Sequence, residues 1–92
     1  MSNFKVGTVV VMTQRAKKKW PYGPDLGALG IIIPPFNNVI TYNNLVLFYD
    51  SFKHGHTGNY PRDKYPYKHS NCYWIEPALL DPYRESRIEE CM

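Results

Sequence analysis

Short runs of β-branched and aromatic residues alternate along this chain with segments in which Gly, Pro and Asn recur. That punctuation leaves room for little except short strands joined by turns. Val6–Thr13 is dense in β-branched side chains, as a strand buried on at least one face should be. From Lys17 to Gly30 the chain carries Pro21, Gly23, Pro24 and Gly27. These residues remove donors and open positive φ, so a loop is expected there. Leu29–Ile33 resumes the strand pattern until Pro34-Pro35 stops it. Asn37-Asn38 and Asn43-Asn44 mark turns on either side of Val39–Tyr42, which reads as a short strand or part of a hairpin. Leu45–Asp50 and Cys72–Ile75 are two further strands.

Between the last two lies 51–71, longer than the roughly 12–15 residues that a compact domain usually leaves unstructured. It holds all three His, several Tyr and four basic residues, and such loops tend to be functional. After Ile75, Pro77–Leu80 reads as one helical turn that tucks two leucines under the sheet. Asp81-Pro82 offers an N-cap followed by Pro at N1.

At 92 residues and 43% hydrophobic content, the chain supports one modest core. No apolar run reaches the roughly 18 residues of a membrane helix, and the first residues lack the pattern of a signal peptide. Two cysteines, Cys72 and Cys91, make no disulfide framework, so a cytoplasmic, reducing setting is expected. The net charge of +3 is unevenly spread. Lys5, Arg15 and Lys17–Lys19 make the first twenty residues basic, whereas Glu76, Asp81, Glu85, Glu89 and Glu90 make the end acidic.

The order of these features resembles that of the SH3-like small barrels, including the KOW and Mib/Herc2-type domains. The resemblance rests on the opening Lys5-Val6-Gly7, a long loop closed by Leu29-Gly30, and the strand Ile31–Ile33. Leu45–Asp50 and a closing Cys72–Leu80 complete the pattern. The long 51–71 insertion, Pro34-Pro35 and the tail depart from it. The resemblance implies an all-β fold, a small SH3-like five-stranded barrel over residues 1–80 with the enlarged loop 51–71. Residues 81–92 are then a charged tail or short helix. Compact barrels of this sort are frequent among phage and viral accessory proteins, and that role joins the expectations. The fold serves many unrelated functions, so chemistry must come from particular residues.

Three constellations stand out. The first is basic and aromatic: Lys17, Lys18, Lys19 and Trp20 in the first loop, with Tyr65, Tyr67 and Lys68 in the second. Lysines neutralise phosphates and aromatic faces stack on bases, so a nucleic-acid interface is one reading. The second is a protein-recognition groove anchored by Trp20, Tyr22, Tyr65, Tyr67 and Trp74, toward which Lys17–Lys19 steer an acidic partner. Strand alternation puts Tyr73 and Ile75 on one face, Cys72 and Trp74 on the other, so either Tyr73 or Trp74 is expected in the core and the other outside. The third is His54, His56, His69 and Cys72, whose imidazole and thiolate chemistry suits zinc. The competing reading packs the aromatics onto the barrel, solvates the lysines and buries Cys72 as a small apolar residue.

No nucleophile elbow, phosphate-binding loop, dinucleotide fingerprint or His-Glu-x-x-His motif occurs, and the few carboxylates of the body form no obvious pair. The sequence therefore points to a non-catalytic adaptor or regulator, monomeric or homodimeric and away from membranes. A protein partner is preferred, with nucleic acid as the alternative and no cofactor beyond the zinc option.

Overall fold

A computed structural model describes residues 4–83. Strands β1 (Val9–Met12), β2 (Leu29–Ile33), β3 (Asn44–Phe48), β4 (Cys72–Ile75) and β5 (Leu80–Pro82) form one antiparallel sheet in the order β4-β3-β2-β1-β5. The sheet curls into a half-barrel, a small all-β architecture with a single α-helix among the described residues. Tight 3₁₀ turns at Phe36–Asn38, Arg62–Lys64 and Pro77–Leu79 punctuate the connections.

Both faces of the sheet are covered, which explains why β2 and β3 read as unbroken apolar runs rather than alternating ones. On the inner face Val10, Met12, Ile32, Val46, Phe48, Ile75 and Leu80 form the main core, joined by Ala16 of the helix. On the outer face Ile33, Leu45 and Cys72 form a second cluster, over which Tyr60, Tyr65 and Tyr67 of the long loop are laid. Tyr73 packs against the first cluster and Trp74 against the second, in keeping with strand alternation. The division into one core and one outside residue does not hold. Both are half-buried, because the 51–71 segment gives the outer face a roof of its own.

The loop expected from Lys17 begins instead inside a helix, α1 (Gln14–Lys19). Thr13 caps it by accepting from the Ala16 N–H at 3.1 Å, while its own hydroxyl donates to the Leu79 carbonyl. One side chain thus ties the helix start to the turn before β5. At six residues the helix is too short to hold itself, and burial of Ala16 in the core supplies what propensity does not.

Val39–Tyr42 is not a strand. Asn37 and Asn38 both adopt left-handed backbone (φ 61° and 53°), which turns the chain away from any ladder. The fifth strand is Leu80–Pro82, where Asp81 faces Val11 and Pro82 faces Val10. The expected N-cap at Asp81-Pro82 is therefore a pair of strand residues. Pro82 is tolerated because β5 is an edge, where a missing N–H deprives no second neighbour. Of the expected charged tail 81–92, Asp81 and Pro82 belong to β5, and the part beyond residue 83, Cys91 included, lies outside the described residues.

Candidate protein-binding surface

The basic run is largely spent inside the molecule. Lys17 Nζ donates to the carbonyls of Pro21 and Gly23, both at 3.1 Å, and so holds the turn that follows the helix. Lys19 lies 2.5 Å from Glu76 and over the Trp20 ring, 5.7 Å from its centroid. Arg15 approaches Asp81 at 4.0 Å and donates to the Ala78 carbonyl. Lys18, one turn away, is exposed. The basic start and the acidic end of the body thus meet across the helix.

The aromatic anchors divide between the two faces. Trp20 packs edge-on against Tyr73 on the inner side, at 6.1 Å between ring centres. Its indole nitrogen is buried without a hydrogen-bond partner among the described residues. Tyr22 is exposed and stands edge-on to His54 at 5.3 Å, where the two long loops meet. Tyr65 and Tyr67 are elsewhere. They continue an edge-to-face stack from Tyr60 at 5.9 and 5.5 Å, on the outer face with Trp74. Lys68 is exposed next to them. The nominated residues therefore do not border one groove, because the sheet stands between Trp20 and the tyrosine stack.

That stack is anchored by polar contacts. The Tyr65 hydroxyl donates to the His69 carbonyl at 2.6 Å and lies 3.3 Å from Cys72 Sγ. Burial pushes the phenols of Tyr65 and Tyr67 up and raises the Cys72 thiol, the Tyr65 hydroxyl partly opposing the last shift. Burial thus favours the neutral thiol over the thiolate at Cys72.

The four zinc candidates are not brought together. His54 is held against Tyr22, His69 is exposed, and Cys72 is roofed by Tyr65. His56 pairs with Cys72 through the main chain only, and its Nδ1 accepts from the Gly58 N–H at 2.8 Å. Among the described residues no three His, Cys, Asp or Glu side chains converge as metal ligands.

Desolvation lowers the pKa of His56 from its ordinary value of 6.5. Unfolded chains therefore bind this proton more readily than folded ones. The stability it contributes is whole above about pH 6.5 and declines as pH falls through the folded value. Thermal melts from pH 7.5 to 5 should show a falling midpoint that flattens in His56→Asn, which keeps an acceptor for Gly58 but does not titrate.

Sequence reasoning passed over the surface that the fold leaves most apolar. Ile40 is 101% exposed, Tyr42 76%, and Val6 and Val39 are also open. Val6, Val39 and Ile40 line a groove of about 260 Å³, floored by Ile32, Ile33 and Leu45. A second groove of about 420 Å³ lies between Tyr42 and Trp74, and Thr41 and Asn43 border both. The long loop braces this region from below. Asn59 receives the Phe36 N–H at 2.9 Å and donates to the Phe36 carbonyl, while the Tyr60 hydroxyl donates to the Pro34 carbonyl at 2.6 Å. The available signal is an apolar run closed at both ends by Asn pairs, which reads equally as a short strand or part of a hairpin.

Among the described residues no helix is long and apolar enough to cross a membrane. Comparison of the chain with protein-family models, with curated proteins and with solved structures finds no match.

Proposed function

We propose that this chain is a non-catalytic adaptor or regulator, resident in the cytoplasm, that binds a protein partner through the apolar strip from Val6 and Ile40 to Tyr42 and Trp74. The observation that carries this reading is the fully exposed Ile40 beside a braced apolar groove. Contiguous apolar surface on a small domain is costly to solubility and marks contact sites. Tyr42 and Trp74 at one end supply the large, stiff side chains that dominate interface energies. The SH3-like reading draws support from the strand order, in which the short last strand returns beside the first. Nucleic acid finds less to hold, since Arg15, Lys17 and Lys19 already have partners in the fold.

The test is a photo-crosslinking amino acid placed at Ile40, with the captured protein identified by mass spectrometry from the source cells. A single protein should be captured, and the cleaner Ile40→Asp variant should lose it while melting within about 0.5 kcal/mol of the parent, as surface substitutions do. Undiminished capture by Ile40→Asp, measured from a crosslinker moved to Tyr42, would refute the assignment.

A further inference from the structure

In an antiparallel ladder, residues alternate between pairs that exchange N–H and C=O and pairs whose main-chain groups point away from each other. The Phe48 N–H donates to the Asn71 carbonyl at 3.0 Å, and the register then sets Tyr73 against Val46 and Ile75 against Asn44. Those are the bonded pairs, so the main-chain groups of Cys72 and Trp74 point outward from β4, which is an edge of the sheet. At Cys72 the outward groups are taken. The Cys72 N–H donates to the His56 carbonyl at 2.9 Å, and the Cys72 carbonyl accepts from the His56 N–H at 3.1 Å. The chain then turns aside, with the Gly55 N–H bonding back to the Phe52 carbonyl. The next outward pair, the N–H and C=O of Trp74, has no main-chain partner among the described residues.

We infer that the β4 edge at Trp74 receives an extended segment of the partner protein, which continues antiparallel the ladder that His56 begins. This deepens the protein-binding reading and rests on it. Strand addition of this kind takes its affinity from main-chain hydrogen bonds and its selectivity from alternate side chains. The incoming residue opposite Trp74 projects on the same face as the indole, because directly paired residues share a face. There an apolar side chain would lie against the half-buried indole.

A second copy of this chain fits the edge poorly. Two β4 strands paired about Trp74 would set Cys72 of one opposite Glu76 of the other. His56 already occupies the outward side of Cys72, and the Glu76 carbonyl is bonded to the Leu79 N–H at 3.0 Å. The strand that fits comes from another protein, is short, and leaves before Cys72. Its residue facing Trp74 is aliphatic or aromatic.

The experiment selects nonapeptides from a random linear phage library on the full chain, then synthesises the tightest binder with a methyl group on each main-chain nitrogen in turn. Methylation should cut affinity by about tenfold at one main-chain nitrogen, that of the residue opposite Trp74, because the Cys72 and Glu76 carbonyls on either side are already bonded. Hydrogen exchange of the Trp74 amide, followed by NMR, should slow by about tenfold or more on binding. A flat methylation scan, or unchanged Trp74 exchange in a saturated complex, overturns strand addition. Capture at Ile40 would still stand in that case, so the two failures are distinct. A library that yields no binder also overturns it. Trp74 protection that grows with protein concentration in the absence of peptide would assign the edge to a second copy instead.

Discussion

Replacing Phe48 with alanine should remove most of the folding free energy. Phe48 is the largest fully buried side chain, at the end of β3, and it meets the Phe52 ring edge-on at 5.8 Å. Truncations of buried phenylalanine cost about 3–5 kcal/mol, the lost transfer energy together with the cavity left behind. A domain of this size has on the order of 5–10 kcal/mol in total. Urea unfolding followed by tryptophan fluorescence should therefore show the Phe48→Ala midpoint at less than half that of the parent. Phe48→Leu, which refills most of the volume, should lose only about 1 kcal/mol. The cost is concentrated here because the core is narrow. Phe52 stands 5.8 Å from Phe48, and Tyr73 of β4 stands 5.6 Å from Phe52; both are only half-buried. A loss below about 1 kcal/mol for Phe48→Ala would mean that Phe52 swings in to fill the space.

The strands were legible because their side chains carry the information locally. Ile31-Ile32-Ile33 and Leu45–Phe48 are apolar throughout, as suits a sheet covered on both faces. The helix was not legible. Gln14–Lys19 has no apolar period, and its reason for existing is distant, in the Thr13 bond to Leu79 and the burial of Ala16. The same distance hid the fate of the basic run. Nothing local to Lys19 says that Glu76 will stand beside it, so a stretch of charge looked like a free surface. In the long loop, expected to be functional, the tyrosines roof the outer face, Tyr60 bonds the Pro34 carbonyl and Asn59 bonds Phe36. The surplus of Tyr thus builds the second layer that a sheet this small otherwise lacks. Val39–Tyr42 shows the opposite limit. Its composition is that of a strand, yet the two left-handed Asn residues before it swing it clear of the sheet, and its apolar side chains become surface.

Gly30→Ala should destabilise the protein by about 2 kcal/mol, although alanine is the better residue for an extended chain in isolation. Gly30 sits in β2 opposite Phe48, between β1 and β3. A methyl group built on it would lie 2.6 Å from Val46 Cγ1, 3.0 Å from Phe48 Cδ1 and 3.1 Å from the Leu47 carbonyl oxygen. Val46 is held to one rotamer by its branch, and the carbonyl belongs to the ladder, so neither can move aside cheaply. Alanine gains about 0.4–1 kcal/mol by restricting the unfolded chain, which is less than the overpacking costs. The contact geometry supplies its own control. Val46→Ala alone should lose about 1–2 kcal/mol by leaving a cavity, but Gly30→Ala would then place a carbon where Val46 Cγ1 had been. The double variant should recover at least about 1 kcal/mol relative to the sum of the single losses, since residues in contact are not additive. Strict additivity in a double-mutant cycle measured by urea unfolding would show that the two sites do not touch. It would also mean that Gly30 is needed for a backbone reason, rather than to make room for the core.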